Sequence, residues 1–232
     1  MNALSSARPA PVALVRDAAT HVAARIAAGG ATLFVGLLVV LHVVKPEYEP
    51  SWRMVSEYAI GRHGWIMQLA FYSLAASCAA ACLVVRRSVQ TTGGRIGIVL
   101  LAATAAALLA AGVFVSDPIT ATKEQLTRHG NFHGLSAMVG IPGLPLAGIL
   151  ITRSLVRDAR WTGARRSLRV TAHLMWITLL GMIVTIALTL PAAGGKFGPT
   201  VPAGWPNRLL VLAYAAWLIV VARQGGRVSR AS

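Results

Sequence analysis

Residues 26–85 read IAAGGATLFVGLLVVLHVVKPEYEPSWRMVSEYAIGRHGWIMQLAFYSLAASCAAACLVV. The flanking runs, Ile26 to Val44 and Trp65 to Val85, contain no Asp, Glu, Lys or Arg. Each has about the 20 residues that a helix rising 1.5 Å per residue needs to cross a bilayer core about 30 Å thick. Between them lies a polar stretch of about 20 residues, longer than most helix connections. Three more uncharged runs follow at Ile96 to Val115, Gly134 to Thr152 and Val170 to Leu190. A shorter sixth, PNRLLVLAYAAWLIVVA from Pro206 to Ala222, places a proline in its first turn and Arg208 near its edge, where a long side chain can snorkel. Spanning segments must be helices or closed barrels, because unpaired amides are costly in lipid, and these runs lack the alternation of barrel strands. The expected fold is therefore an all-α, polytopic transmembrane helix bundle with six spans, at about 26–44, 65–85, 96–115, 134–152, 170–190 and 206–222. A disordered cytoplasmic tail (1–22) precedes the transmembrane domain (23–222), and a second tail (223–232) follows it.

Composition agrees. Of 232 residues, 56% are hydrophobic and only 12% charged, about half the charged share of a soluble domain. The net charge of +15 does not point to nucleic acid, because the basic residues sit between apolar runs and form no patch on a water-soluble surface. They divide by side. Fifteen fall in the N-terminal tail, the loop with Arg86, Arg87 and Arg95, the Arg153 to Arg169 loop and the C-terminal tail; seven fall in the other loops. Since Lys and Arg concentrate on the cytoplasmic side, both termini are expected inside, with the inner loops drawn to anionic headgroups at about 1 kcal/mol per residue. The basic, Ala-rich start resembles a transit or signal segment, but HVVKPEYEP after the first run offers no small-residue cleavage site. Cys78 and Cys82 lie one helical turn apart and read as small packing residues. The alanine and glycine stripes of the second and third runs also read as close helix packing, Gly29 and Gly30 as a close crossing, and Pro142 with Pro145 as a kink.

The first outer loop has structure of its own. Ser51 is placed to cap a short interfacial helix from Trp52 to Ile60, closed by Gly61, with Trp52, Val55 and Ala59 on one side and Arg53 paired to Glu57 at i, i+4. Such a helix would lie along the membrane surface.

SEYAIGRHGW before the second span, FVSDP ending the third, the HG of NFHG opening the fourth and NRLLVLAYAAW in the last together resemble the family catalogued as domain of unknown function 998 (DUF998), membrane proteins of bacteria and archaea. That resemblance covers most of the chain and implies six helices in the plasma (inner) membrane of a prokaryote. It carries over Ser56, Glu57, Gly64, Asp117, His133 and Arg208 as family-type positions, implies no activity, and leaves His42, His63 and His129 unassigned.

Read by position alone, His42, Asp117, His129 and His133 all fall near one membrane plane. Two histidines at i, i+4 can share a metal ion, and His42 or Asp117 would complete a tetrahedral zinc site with a water in the open position. Such a water could attack an ester, with Ser56 or Glu57 assisting the proton transfer. The order Ser56, His63, Asp117, His-x-x-x-His also looks like the ceramidase and progestin-receptor group of membrane hydrolases, although those have seven spans and carry the paired histidines in the last. Catalytic candidates are thus Ser56, Glu57, Asp117 and His133; lipid-binding candidates are His42, His63, Trp65 and Arg208; metal candidates are His129, His133, Asp117 and His42. Arg208 would be cheapest at a membrane boundary if matched with Asp117 or Glu57. The bland alternatives are helix capping, headgroup contact and interhelical hydrogen bonds. His173 has no evident partner, and His42 with His133 form the sole pair suited to haem. The leading expectation is a membrane-embedded, metal-assisted hydrolase or a lipid-binding protein with an outward polar pocket. The competing class is a small transporter or accessory subunit, although uncharged span centres argue against an ion path.

Overall fold

A computed structural model describes residues 11–230. Six long helices succeed one another: α1 (Pro11–Val44), α2 (Trp65–Val85), α3 (Thr92–Val113), α4 (Arg128–Leu155), α5 (Arg165–Ala192) and α6 (Gly204–Val228). Short 3-10 turns occur at Val55–Ala59, Lys123–Gln125 and Ala159–Ala164, and there is no strand among the described residues. All six helices contain windows long and apolar enough to cross a membrane, and the chain is a multi-pass membrane protein.

The helices overrun the apolar runs that announced them. α1 is already helical at Pro11, so the expected tail is helix over 11–22; residues 1–10 lie outside the described residues. With 34 residues, α1 is about 51 Å long, some 20 Å more than a bilayer core. α6 likewise continues to Val228, absorbing most of the expected C-terminal tail; residues 231 and 232 lie outside the described residues. α4 begins six residues before Gly134, at Arg128, because Thr127 caps it: the Thr127 hydroxyl oxygen accepts from Gly130 N at 3.0 Å. Thr91 does the same for α3, accepting from Gly94 N at 3.1 Å.

Small residues decide where the helices cross. Gly30 of α1 lies against Ser73 and Ser77 of α2, so that a Cβ there would strike backbone, whereas Gly29 faces open space; the close crossing belongs to Gly30 alone. Beside it the Ser77 hydroxyl donates to Ala27 O at 2.6 Å. Gly94, Gly97 and Gly143 carry α3 against α4. In lipid such contacts, with hydrogen bonds worth about 0.6 kcal/mol each, replace the hydrophobic drive that water would supply. Cys78 is buried, Cys82 is partly buried and both are free thiols.

α4 runs unbroken through Pro142 and Pro145. Pro145 has no N–H for the carbonyl of Ile141 one turn earlier, and the Tyr214 hydroxyl of α6 donates to that carbonyl instead, at 2.5 Å. Deeper toward the opposite end, Trp217 Nε1 donates to Thr152 Oγ1 at 3.0 Å, and Gly148 sits under Met175 of α5. α5 is the peripheral helix: Ile177, Leu180, Ile183, Val184 and Leu188 are all exposed, as residues facing lipid should be.

Candidate functional site

The loop after α1 is folded into the end of the bundle. Its short helix spans Val55–Ala59 as a 3-10 turn, preceded by Met54, and Val55, Glu57, Tyr58 and Ala59 are buried. The longer helix over Trp52–Ile60 capped by Ser51 is therefore corrected. Ser51 turns back on Glu49, its hydroxyl donating to the carboxylate at 2.5 Å, and its carbonyl accepts from Gly204 N at 2.9 Å. The Ser51 hydroxyl, joined by the Ser51 N–H at 3.1 Å, holds the Glu49 carboxyl below its usual range. Gly204 is tolerated only as glycine, since a Cβ would meet Pro50 O and the backbone of Trp52 and Arg53.

Arg208, one turn into α6 and 3% exposed, is the centre of this end. Its Nε donates to His42 Nε2 at 2.8 Å, Nη1 to Arg53 O at 2.6 Å and to Pro50 O and Gly204 O at 3.1 Å, and Nη2 to Tyr58 Oη at 3.0 Å. The expected match with Asp117 or Glu57 does not form. A guanidinium has five N–H donors in a fixed fork, and a cluster of carbonyls, a phenol and an imidazole satisfies them without a carboxylate. His42 is fully committed as well: Nδ1 bonds to Leu38 O at 2.7 Å, an acceptor only, so Nδ1 carries the proton and Nε2 the lone pair that Arg208 takes. Tyr58 stands edge-on to His42, with ring centroids 5.3 Å apart.

A second buried cation was missed in the sequence. Lys45, 2% exposed, donates to Tyr58 O at 3.1 Å and to Ile60 O and stands 4.7 Å from the Tyr48 ring centroid. Burial lowers its pKa from the ordinary 10.5, and nearby Glu47 opposes the shift in part. Its place one residue past an apolar run gave no sign of this, since a lysine there ordinarily faces water. Asn207 was also overlooked; its Oδ1 accepts from Val55 N at 3.0 Å and, beside Arg208, zips the loop to α6.

The candidate carboxylates hold loops. Glu57, 1% exposed, accepts Arg53 Nη1 at 2.7 Å, Met54 N at 3.1 Å and Ile119 N at 3.0 Å, tying the first loop to the segment after α3. The expected Arg53–Glu57 pair is present. The Ser56 carbonyl accepts from the Ser116 hydroxyl at 3.3 Å. Asp117 accepts Thr127 N and Thr127 Oγ1, both at 2.8 Å, and sits over the first turn of α4, where the helix dipole favours an anion.

The proposed zinc ligands do not converge: among the described residues no three His, Cys, Asp or Glu side chains lie close enough to share a metal ion. His42 is held by Arg208 and Asp117 by Thr127. His129 is exposed and edge-on to Phe114, while His133, one turn on, is 6% exposed with Nδ1 bonded to Phe114 O at 2.8 Å. His63 stands at φ +63 in the turn before α2, and Trp65 is 61% exposed. His173 bonds its own helix at Arg169 O, 2.6 Å away.

His133 does face something: a cavity of about 280 Å³ to which all six helices and the Met54–Ser56 segment contribute. Its wall is mainly apolar, from Phe34, Phe71 and Leu74 through Leu108 to Leu144 and Met182. On one flank the lining residues Ser136, Ala137, Gly140 and Ile141 of α4, Ile186 of α5 and Val211 of α6 are half-exposed. Among the candidates only Ser56 and His133 line it.

Residues 26–224 match the model of a family described as protein of unknown function, DUF998. No curated protein and no solved structure matches the chain.

Proposed function

The chain belongs to the DUF998 family, and from that premise we propose that it is a lipid-binding membrane protein that takes a single apolar chain sideways from the bilayer into the cavity beside His133. The observation that carries this reading is the cavity itself: about 280 Å³ of mainly apolar space, near the lower end of the roughly 300–1,000 Å³ usual for ligand pockets. Its half-exposed flank on α4, α5 and α6 lies among residues that face lipid, such as Met138 and Ile183. The reading places the protein in the plasma membrane of a prokaryote, with the arginine-rich loops at the cytoplasmic face and the His133 end outward. Bond-breaking chemistry is not part of it, because Glu57 and Asp117 are occupied with backbone and side-chain donors.

Gly140 supplies the test. An added Cβ there would meet only Ala107 Cβ, at 3.8 Å, so a side chain can start from this lining position, and Gly140→Phe is expected to fill the cavity. Purified from membranes and examined by native mass spectrometry, the wild type is expected to retain a single-chain lipid that the variant has lost. Equal retention by both would refute the reading.

A further inference from the structure

Four of the six polar side chains that line the cavity give their protons to backbone carbonyls. Thr104 donates its hydroxyl proton to Leu100 O at 2.9 Å, Ser136 to Phe132 O at 2.8 Å and Tyr214 to Ile141 O. His133 donates Nδ1–H to Phe114 O, since a carbonyl can only accept, which leaves a lone pair on Nε2. Every one of these protons is spent on backbone, so what remains toward the cavity is lone pairs. Asn207 Nδ2, 3.8 Å from Met182 Sδ, and the Ser56 hydroxyl are the two exceptions. Among the described residues no Asp, Glu, Lys or Arg lines the space.

We infer that the molecule held here is a neutral single-chain amphiphile ending in a hydrogen-bond donor, a long-chain alcohol, whose hydroxyl proton is given to His133 Nε2; this deepens the lipid-binding reading and rests on it. A carboxylate or phosphate would set negative charge against lone pairs with no cation to match, and an ammonium would lose its water with no carboxylate to replace it. A hydroxyl meets neither cost. Ser136, one helical turn from His133, adds a second acceptor. The tail runs from that polar level past Phe71 and Leu74 toward Leu144. At about 30 Å³ for each water-sized group, 280 Å³ holds a chain of roughly ten methylenes.

The full chain in lipid nanodiscs, titrated with 1-decanol, methyl decyl ether and decanoate and followed by calorimetry, tests the inference. The ether keeps the oxygen and lacks the proton. Decanol is expected to bind about five- to tenfold more tightly than the ether, the worth of one hydrogen bond, and decanoate more weakly than either. His133→Phe should bring decanol down to the level of the ether while leaving ether binding unchanged. Should that variant fail to fold without its bond to Phe114, Ser136→Ala, which gives up only a bond within its own helix, is expected to narrow the same gap. Equal binding of decanol and ether, or tighter binding of decanoate, overturns the alcohol assignment and leaves the lipid-binding reading standing. Binding of none of the three overturns both.

Discussion

Arg208 shows how a charge is carried at the end of a membrane bundle without a carboxylate bonded to it. Its forked donors reach five groups on α1, the first loop and α6 at once, and a lysine, with one compact ammonium, cannot. Arg208→Lys is therefore expected to lower stability by roughly 2–3 kcal/mol, because carbonyls and His42 Nε2 lose their donors in a buried place; unfolding in mixed micelles would read it, and an unchanged midpoint would contradict the hub. Lys45 makes a pH prediction. The folded protein holds this proton less tightly than an ordinary lysine, so unfolding takes protons up. Stability then rises with pH between the depressed value and the ordinary 10.5, and this contribution is level below the folded value. Comparing Lys45→Met with wild type across the alkaline range should remove that slope. At this scale the sequence was partly legible: Glu57, Asp117, His133 and Arg208 were singled out, and the Arg53–Glu57 pair was expected, yet the other partners were not. Which carbonyl a guanidinium meets is decided by chain segments more than 150 positions apart, as with Arg53 and Arg208, and spacing along the chain holds no record of that.

Among the elements, α4 is the one whose sequence looked most damaged and whose structure is continuous. The loss at Pro145 is made good from α6 by Tyr214. A double-mutant cycle should expose the arrangement. Tyr214→Phe alone is expected to cost about 1 kcal/mol, and the same change on a Pro145→Ala background close to nothing, because alanine returns an N–H to Ile141 O. Strict additivity of the two changes would show that the hydroxyl does not serve that carbonyl. The spans themselves were readable, because an uncharged run of about 20 residues has few other uses. Their ends were not: α1, α4 and α6 all extend into charged sequence, where hydropathy stops reporting and capping by residues such as Thr127 takes over. The 3-10 turn at Val55–Ala59 was expected on the membrane surface. It is buried because Glu57 and Tyr58 are each claimed by partners on other elements.

At the scale of the whole molecule, the six helices leave loops of contrasting charge at the two ends of the bundle. By the bias of basic residues toward the cytoplasm, a fluorescent protein fused after Ser232 should be bright inside the cell, and a cysteine replacing Lys196 should react with an impermeant thiol reagent added outside; the reverse pattern would invert the orientation. The expected zinc ligands do not come together among the described residues, since a metal site depends on three side chains arriving within a few ångströms and a fold only on runs of like residues. The pairing of the first loop with the first turn of α6 bears on synthesis. A ribosome that has delivered five helices has made a chain whose earliest loop still lacks its fastener, with His42, Tyr58 and the carbonyls of Pro50 and Arg53 waiting for Arg208. The bundle cannot close in the order in which it is made. Proteins truncated before Gly204 should be recognised as unfinished by cellular proteases, however well their spans have inserted, and α6 acts as a seal on the loop that follows α1.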